Sequence, residues 1–162
     1  MKHETKFTKE TSANKLLVTR EFDAPVERVW KAWTVRDILD QWWAPRPWKA
    51  ETKSLDFRPG GTWLYSMVGP NGDRHRCRVD FTAVEIQRSF KADSSFCDEN
   101  DNPNPGMPVM HWHTRFTSTP TGSKIDVTIT FDKEADLKAI VEMGFEAGFN
   151  MGLGNLDELL AA

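Results

Sequence analysis

The stretch MGFEAGFNMGLGNLDELL, residues 143 to 160, lies near the end of this chain of 162 residues. Its apolar residues recur at helical spacing, yet it contains four of the ten glycines in the sequence. Each glycine inside a helix costs about 1 kcal/mol relative to alanine. Gly144, Gly148 and Gly152 follow one another at intervals of four residues, so they share the apolar face of the predicted helix, whereas Gly154 lies off it. The middle of that face therefore lacks side chains.

This glycine face has two interpretations, and the sequence leaves both open. Glycines allow a helix backbone to pack closely against another element. They also leave room for a small molecule, since ligand pockets are usually apolar hollows with a few polar groups. A membrane-embedded helix pair of the GxxxG type is excluded, because Glu142, Glu146 and Asp157 lie on the same helix.

The rest of the chain reads as short strands with two early helices. The predicted elements are a strand at 15–22, helices at 26–34 and 37–43, an extended piece at 55–57, strands at 62–68, 76–84, 89–96, 110–117 and 124–131, and one long terminal helix. Because consecutive strands are joined by short turns, such as Asn-Gly within residues 70–73, the sheet is predicted to be antiparallel and the fold class to be α+β. We expect residues 1–14 to be a flexible N-terminal segment and residues 15–162 to form a single domain.

The composition is that of an ordinary globular protein, with 39% hydrophobic and 28% charged residues. The net charge is −3 and the charges are interspersed, so we expect no binding to nucleic acid or to a membrane. The first fifteen residues lack the apolar core of a signal peptide, which predicts a cytoplasmic protein. We expect a monomer or a homodimer.

Four motifs carry a resemblance to a known family. They are REFDAPVERVWKAWT (20–34), DQWWAP (40–45), DFRPGGTW (56–63) and MGFEAGFNMGLGNLDELLA (143–161). In this order and spacing the chain resembles the activator of heat-shock-protein-90 ATPase homologue family, within the START/polyketide cyclase-like (SRPBCC, helix-grip) superfamily. The resemblance extends from about Leu16 to the C-terminus. It implies a curved antiparallel β-sheet wrapped around a long C-terminal α-helix, two short helices between the first and second strands, and a deep cavity between sheet and helix.

The resemblance leaves three functions open. Superfamily members bind lipids, hormones and polyketides, which favours a binding protein for a small, largely apolar ligand. Other members are cyclases or hydrolases, and an enzyme of that kind would need at least two convergent ionisable groups in the cavity. The third function is that of a co-factor that activates a chaperone ATPase. In the eukaryotic relatives this activity depends on a separate N-terminal domain, which we do not expect in this chain.

The aromatic face of the predicted sheet and the glycine face together define a candidate site. The predicted ligand-binding residues are Trp33, Trp42, Trp63, Tyr65, Met67, Val79, Phe81, Trp112, Phe116, Gly144, Phe145, Gly148, Phe149 and Gly152. The sequence contains no nucleophile motif, phosphate loop or dinucleotide fingerprint, so we assign no catalytic residue and expect no cofactor and no metal.

Several polar residues are candidates for a chemical role. Tyr65 and Arg20 have the parity of the cavity face, and Arg20 either binds an anionic group of a ligand or, as we favour, pairs with a glutamate near the sheet edge. His111 and His113 share one face of a strand, and imidazole pairs of this kind bind metals. Their parity is opposite to that of Trp112, so we interpret them as solvent-facing residues.

A long loop follows the predicted strand at 89–96. Residues 98–108 are polar and broken by prolines, and we predict that they form a lid over the cavity.

Cys77 and Cys97 have opposite side-chain parity across the predicted hairpin, so we predict two free thiols.

Overall fold

The structure is a computed structural model that describes residues 3–161. Within these residues, one sheet is formed by β1 (Lys6–Glu10), β2 (Lys15–Phe22), β3 (Lys49–Leu55), β4 (Thr62–Val68), β5 (Arg74–Glu85), β6 (Ser89–Phe96), β7 (Met110–Thr119) and β8 (Gly122–Thr130). The α-helices are α1 (Val26–Thr34), α2 (Arg36–Trp42), α3 (Glu134–Glu142) and α4 (Phe145–Ala161). This arrangement confirms the predicted α+β, helix-grip fold. Among the helices of residues 3–161, none is long and apolar enough to cross a membrane.

The sheet is antiparallel throughout and follows the strand order β1-β2-β8-β7-β6-β5-β4-β3. Hairpins connect β4 through β8, while α1 and α2 carry the chain from β2 to the opposite edge at β3. The register shifts between Thr52 and Ser54 and between Phe81 and Ala83. Such bulges bend a sheet, and the curved sheet forms a concave face that the helices cover.

Aromatic side chains fill the space between the concave face and the first helix. The ring centroid of Trp30 on α1 lies 5.0 Å from that of Phe116, and the centroid of Trp33 lies 5.9 Å from the same ring. Leu16, Ile125 and other aliphatic residues of β2 and β8 are fully buried beside them. This half of the concave face is therefore packed core.

The terminal segment is two helices, which corrects the predicted continuous helix. Gly144 has a φ of +87°, a left-handed conformation that favours glycine, and it ends α3 before α4 begins at Phe145. The amide of Gly144 donates to the carbonyl of Val141 at 3.1 Å. Gly144 is thus a helix terminator, and only Gly148, Gly152 and Gly154 lie within α4.

Helix α4 packs against the end of α2 at its glycine-rich turn. A Cβ atom on Gly152 would lie 3.1 Å from the carbonyl oxygen of Trp43 and 3.4 Å from that of Trp42. One turn later, Nδ2 of Asn155 donates to the carbonyls of Trp42 and Ala44 at 3.4 and 3.2 Å. Close packing therefore accounts for Gly152.

Both edge strands differ from the sequence prediction. Residues 6–10 lie in the segment expected to be flexible, yet they form β1 and pair with β2. Because β1 comes first, the two short helices lie between the second and third strands instead of the first and second. Strand β3 covers Lys49–Leu55 instead of 55–57. Both strands are rich in charged and polar residues, as sheet edges often are, so they lack the apolar alternation that reveals inner strands.

Candidate functional site

A cavity of about 1020 Å³ lies between the concave face of the sheet and the α3–α4 junction. Strands β4, β5, β6 and β7 form one wall, and the loop after β6 borders its opening. The cavity occupies the half of the concave face that α1 does not cover. Its lining divides into a buried apolar part and a polar mouth.

The buried part of the cavity is aromatic. The ring centroid of Trp112 on β7 lies 5.4 Å from that of Phe149, 6.0 Å from that of Phe145 and 5.9 Å from that of Trp43. Trp112 and Phe149 are each only 7% exposed, and Tyr65 on β4 is 6% exposed. Rigid aromatic walls of this kind bind apolar ligands.

Four of the six methionines in the sequence line the same cavity, namely Met67, Met107, Met110 and Met143. Met143 is 56% exposed and lies at the α3–α4 junction, whereas Met110 is buried. Methionine side chains are flexible and polarisable, so they adjust to ligands of different shapes. The cavity therefore combines rigid aromatic walls with adaptable thioether groups.

Charged residues surround the mouth and are largely paired with one another. Arg74 of β5 lies 3.3 Å from a carboxylate oxygen of Glu51, and Arg76 lies 3.6 Å from one of Asp101. Glu99 and Asn100 border the opening from the loop. The mouth therefore presents both signs of charge to solvent.

The loop between β6 and β7 runs along the cavity and is fastened to the sheet. The amide of Asn104 donates to the carbonyl of Phe96 at 2.8 Å, and Nζ of Lys53 lies 2.6 Å from a carboxylate oxygen of Asp101. The hydrogen bond from Lys53 lowers the pKa of Asp101, and Arg76 adds to the effect. The loop lies where a lid would lie, and its action as a lid stays a prediction.

Two ionisable groups in the buried part are neutral at physiological pH. Nε1 of Trp43 donates to the hydroxyl oxygen of Tyr65 at 3.0 Å. Burial raises the pKa of Tyr65 well above its ordinary value, with the neighbouring Cys77 thiol adding to the shift. Burial likewise raises the pKa of Cys77 to about 11. Neither group is suited to act as a general base near neutral pH.

Arg20 belongs to a different part of the interior. It forms an ion pair with Asp157 of α4, donates to Oγ1 of Thr5 at 2.7 Å and approaches Oδ1 of Asn150 at 3.5 Å. The expected ion pair is therefore present, but its partner is an aspartate of α4 and not a glutamate. Arg20 does not line the large cavity.

His111 lies on the outer face of the sheet, as its parity indicates. Its Nδ1 lies 2.7 Å from Asp93 and its Nε2 lies 2.9 Å from Asp132. The hydrogen bond to Asp93 is the main cause that raises the pKa of His111, and Asp132 adds to it. Within residues 3–161, no cluster of three or more His, Cys, Asp or Glu side chains could hold a metal ion.

A second, much smaller cavity of about 30 Å³ adjoins the first, and Trp43, Ser94 and Trp112 line both. This volume has room for one or two water molecules. Leu39 of α2 and Phe90 of β6 also line it.

The structure distributes the predicted site residues among three places. The large cavity is lined by Tyr65, Met67, Trp112, Gly144, Phe145, Gly148 and Phe149. The small cavity is lined by Trp33, Trp63, Val79 and Phe81, with Trp112 shared between the two. Trp42, Phe116 and Gly152 lie outside the walls of both cavities, since they are packed in the core or against a neighbouring backbone.

Sequence reasoning missed several lining residues. Met110 has the same strand parity as Trp112, so that signal was available. Trp42 and Trp43 are adjacent, and the sequence does not indicate which of the two indoles reaches the cavity. Met143 lines the mouth because of the break at Gly144, which the continuous-helix prediction did not include.

Comparisons with known proteins agree with this architecture. The family described as Activator of Hsp90 ATPase homolog 1-like protein matches residues 23–161. The chain belongs to this family. Its fold commonly binds ligands in a cavity, and the resemblance seen in the sequence motifs is thereby confirmed. None of the curated proteins matches the chain significantly.

Solved structures of similar bacterial proteins share this family fold. The chain is 31% identical to protein Ms6760 from Mycobacterium smegmatis, with a TM-score of 0.89 and 96% of each chain covered. It is 29% identical to a protein from Arthrobacter aurescens, with a TM-score of 0.91, covering 96% of this chain and 91% of that one. An AHSA1 protein from Silicibacter pomeroyi, 24% identical, has the same fold at a TM-score of 0.72, with 91% of this chain and 97% of that chain covered.

Proposed function

We propose that this protein binds a small, largely apolar molecule in the large cavity, without covalent chemistry. The observation that carries the proposal is the cavity itself, about 1020 Å³ between the aromatic face of the sheet and α4. Pockets for small molecules usually enclose about 300–1,000 Å³ and have apolar walls with few polar groups. The buried part of this cavity has that character.

The glycine at the cavity wall supports the proposal. A Cβ atom on Gly148 would meet only Cγ of Pro45, at the ordinary contact distance of 3.8 Å. Close packing therefore does not require glycine at this position. A larger side chain here would project into the space that the cavity now occupies, so Gly148 is explained by the need for room.

Binding is favoured over catalysis by the state of the buried polar groups. The hydroxyl of Tyr65 and the thiol of Cys77 both have raised pKa values because they are buried. They can donate hydrogen bonds but do not form an acid and base of matched pKa. Charged residues such as Arg74 and Glu99 lie at the mouth, away from the aromatic walls.

Titration with the uncharged fluorescent probe N-phenyl-1-naphthylamine tests the proposal. The wild-type protein is expected to bind one equivalent with a blue shift in emission. Gly148→Leu should weaken binding at least tenfold, because the leucine fills the cavity, while its melting temperature stays equal to or above that of the wild type.

Gly154→Leu is the matched control. Gly154 lies on the same helix, outside the cavity walls, and a Cβ there would meet nothing within 4 Å. This variant should bind the probe as the wild type does. If Gly148→Leu lost stability and left probe binding unchanged, the glycines would serve contact alone and the proposal would be wrong.

A further inference from the structure

We infer that the ligand of this cavity is an uncharged molecule carrying a carbonyl oxygen, which accepts a hydrogen bond from the hydroxyl of Tyr65. The inference rests on the proposed function and names the chemical class of the ligand. It is carried by the arrangement of buried hydrogen-bond donors around the aromatic walls.

The first of these donors is the hydroxyl of Tyr65. The indole N–H of Trp43 donates to its oxygen at 3.0 Å, which leaves the hydroxyl proton to be donated onward. A hydrogen bond received by the oxygen also polarises the O–H group. The nearby thiol of Cys77 offers only a weak sulfur acceptor. A ligand oxygen is a better partner than this sulfur.

The second donor is the indole N–H of Trp112. Its Nε1 atom is buried and has no hydrogen-bond partner among residues 3–161. Trp112 forms part of the wall of both cavities, next to Trp43 at a ring-centroid distance of 5.9 Å. A buried donor without an acceptor costs about 1–3 kcal/mol. An oxygen atom brought by a ligand would supply the missing acceptor after a small movement of the ring.

The third donor is the indole N–H of Trp33, in the wall of the small cavity. Its Nε1 atom is also buried and also lacks a partner within the described chain. These walls therefore contain two indole N–H donors without an acceptor, which favours a ligand that brings an acceptor.

The charges around the cavity indicate that this acceptor is uncharged. The cations that border the opening, Arg74 and Arg76, are at the mouth and are already paired with Glu51 and Asp101. A carboxylate placed beside Tyr65 would be buried without a cation, which is costly. A carbonyl oxygen accepts the same hydrogen bonds without that cost.

Three probes of similar size separate these possibilities, namely 2-acetylnaphthalene, 2-ethylnaphthalene and 2-naphthoate. Their affinities for the wild-type protein and for Tyr65→Phe are measured by titration. Tyr65→Phe should weaken binding of the ketone about tenfold, as expected for loss of one buried hydrogen bond, and change binding of the hydrocarbon less than twofold. The naphthoate should bind the wild type most weakly of the three.

Trp63→Phe is the control variant. Trp63 stacks on Tyr65 at a centroid distance of 4.1 Å, but its own N–H already donates to Thr52. This variant should change the affinities for ketone and hydrocarbon by the same factor. Trp112→Phe tests the second donor independently and should weaken the ketone at least threefold relative to the hydrocarbon. If Tyr65→Phe does not fold, the ketone and hydrocarbon affinities of Trp112→Phe still test whether the ligand's oxygen accepts a hydrogen bond from the cavity wall.

The infrared stretching band of the ketone, labelled with ¹³C at the carbonyl, reports the hydrogen bond directly. It should lie at lower frequency in the wild-type complex than in the Tyr65→Phe complex. Equal losses for ketone and hydrocarbon in both variants, an unshifted band, or tighter binding of naphthoate would each overturn the inference while leaving the binding function intact. If neither these probes nor N-phenyl-1-naphthylamine binds the wild type, the proposed function fails and the inference fails with it.

Discussion

The glycines of the terminal segment have three different roles. Gly144 ends α3 in a left-handed conformation, Gly148 leaves space beside the cavity, and Gly152 permits contact with the backbone at Trp42 and Trp43. The two interpretations raised by the sequence therefore apply to different residues. Gly148, which leaves space, and Gly152, which permits close packing, are one turn apart on α4.

Alanine substitutions distinguish contact from space along α4. In Gly152→Ala the new Cβ would lie 3.1 Å from a backbone carbonyl oxygen, and we expect a loss of about 1–3 kcal/mol in the free energy of unfolding. In Gly154→Ala it would meet nothing, and we expect a gain of about 0.5–1 kcal/mol from helix propensity. Urea unfolding measures both. Equal effects in the two variants would contradict the assigned roles.

Side-chain parity explains which lining residues the sequence could predict. Tyr65, Met67 and Trp112 were found because alternate residues of a strand share one face. Trp42 was predicted to line the cavity, but it is fully buried against α1, with its Nε1 donating to the carbonyl of Ala32 at 2.8 Å. Helical spacing does not say which neighbour a buried indole will meet. That outcome depends on how α1, α2 and α4 pack.

Among the elements, the loop after β6 is held at one point by charge. Asp101 has a φ of +62° and its carboxylate contacts Lys53 of β3, while its carbonyl accepts from Nη1 of Arg78 at 3.3 Å. The rest of the loop is attached by backbone hydrogen bonds near Phe96. Release of Asp101 would therefore loosen the segment that borders the mouth without removing any core residue.

The variant Asp101→Asn tests whether this contact restrains a lid. Asparagine tolerates the same left-handed conformation but lacks the charge. Because partly exposed ion pairs contribute about 0–1 kcal/mol, dissociation of N-phenyl-1-naphthylamine should become up to about fivefold faster at low salt. Stopped-flow fluorescence measures this rate. An unchanged rate would mean that the loop does not gate the cavity.

The inner strands were predictable and the edge strands were not, for a physical reason. β4, β6 and β8 alternate apolar and polar residues because one face of each is buried. β1 and β3 have charged residues on exposed faces, so their sequences lack this alternation. Their pairing depends on neighbours distant in the chain.

For the molecule as a whole, the buried thiol of Cys77 predicts a loss of stability at alkaline pH. Its pKa is raised by burial from 9.0 to about 11. The buried thiol therefore makes its full contribution to the free energy of unfolding below pH 9, where it is protonated in both the folded and the unfolded state. This contribution is lost as the pH rises through 11. The expected loss is about 1–3 kcal/mol, since one unit of pKa corresponds to about 1.4 kcal/mol.

Urea unfolding between pH 8 and pH 10.5 checks this expectation against Cys77→Ala as a control. The decrease over this range should be smaller in the variant than in the wild type. Tyr65 should add a further decrease in both proteins above pH 10, because its pKa is also raised by burial. An identical pH dependence in the two proteins would show that the Cys77 thiol is not buried as described.

The proposed function requires that a small molecule enter the space between the sheet and α4. Intermolecular nuclear Overhauser effects between unlabelled 2-acetylnaphthalene and the ¹³C-labelled protein test it most directly. We expect contacts from the naphthalene protons to the ring of Tyr65, the α protons of Gly148 and the ring of Phe149. Contacts confined to residues outside the cavity, with none to these three, would contradict it.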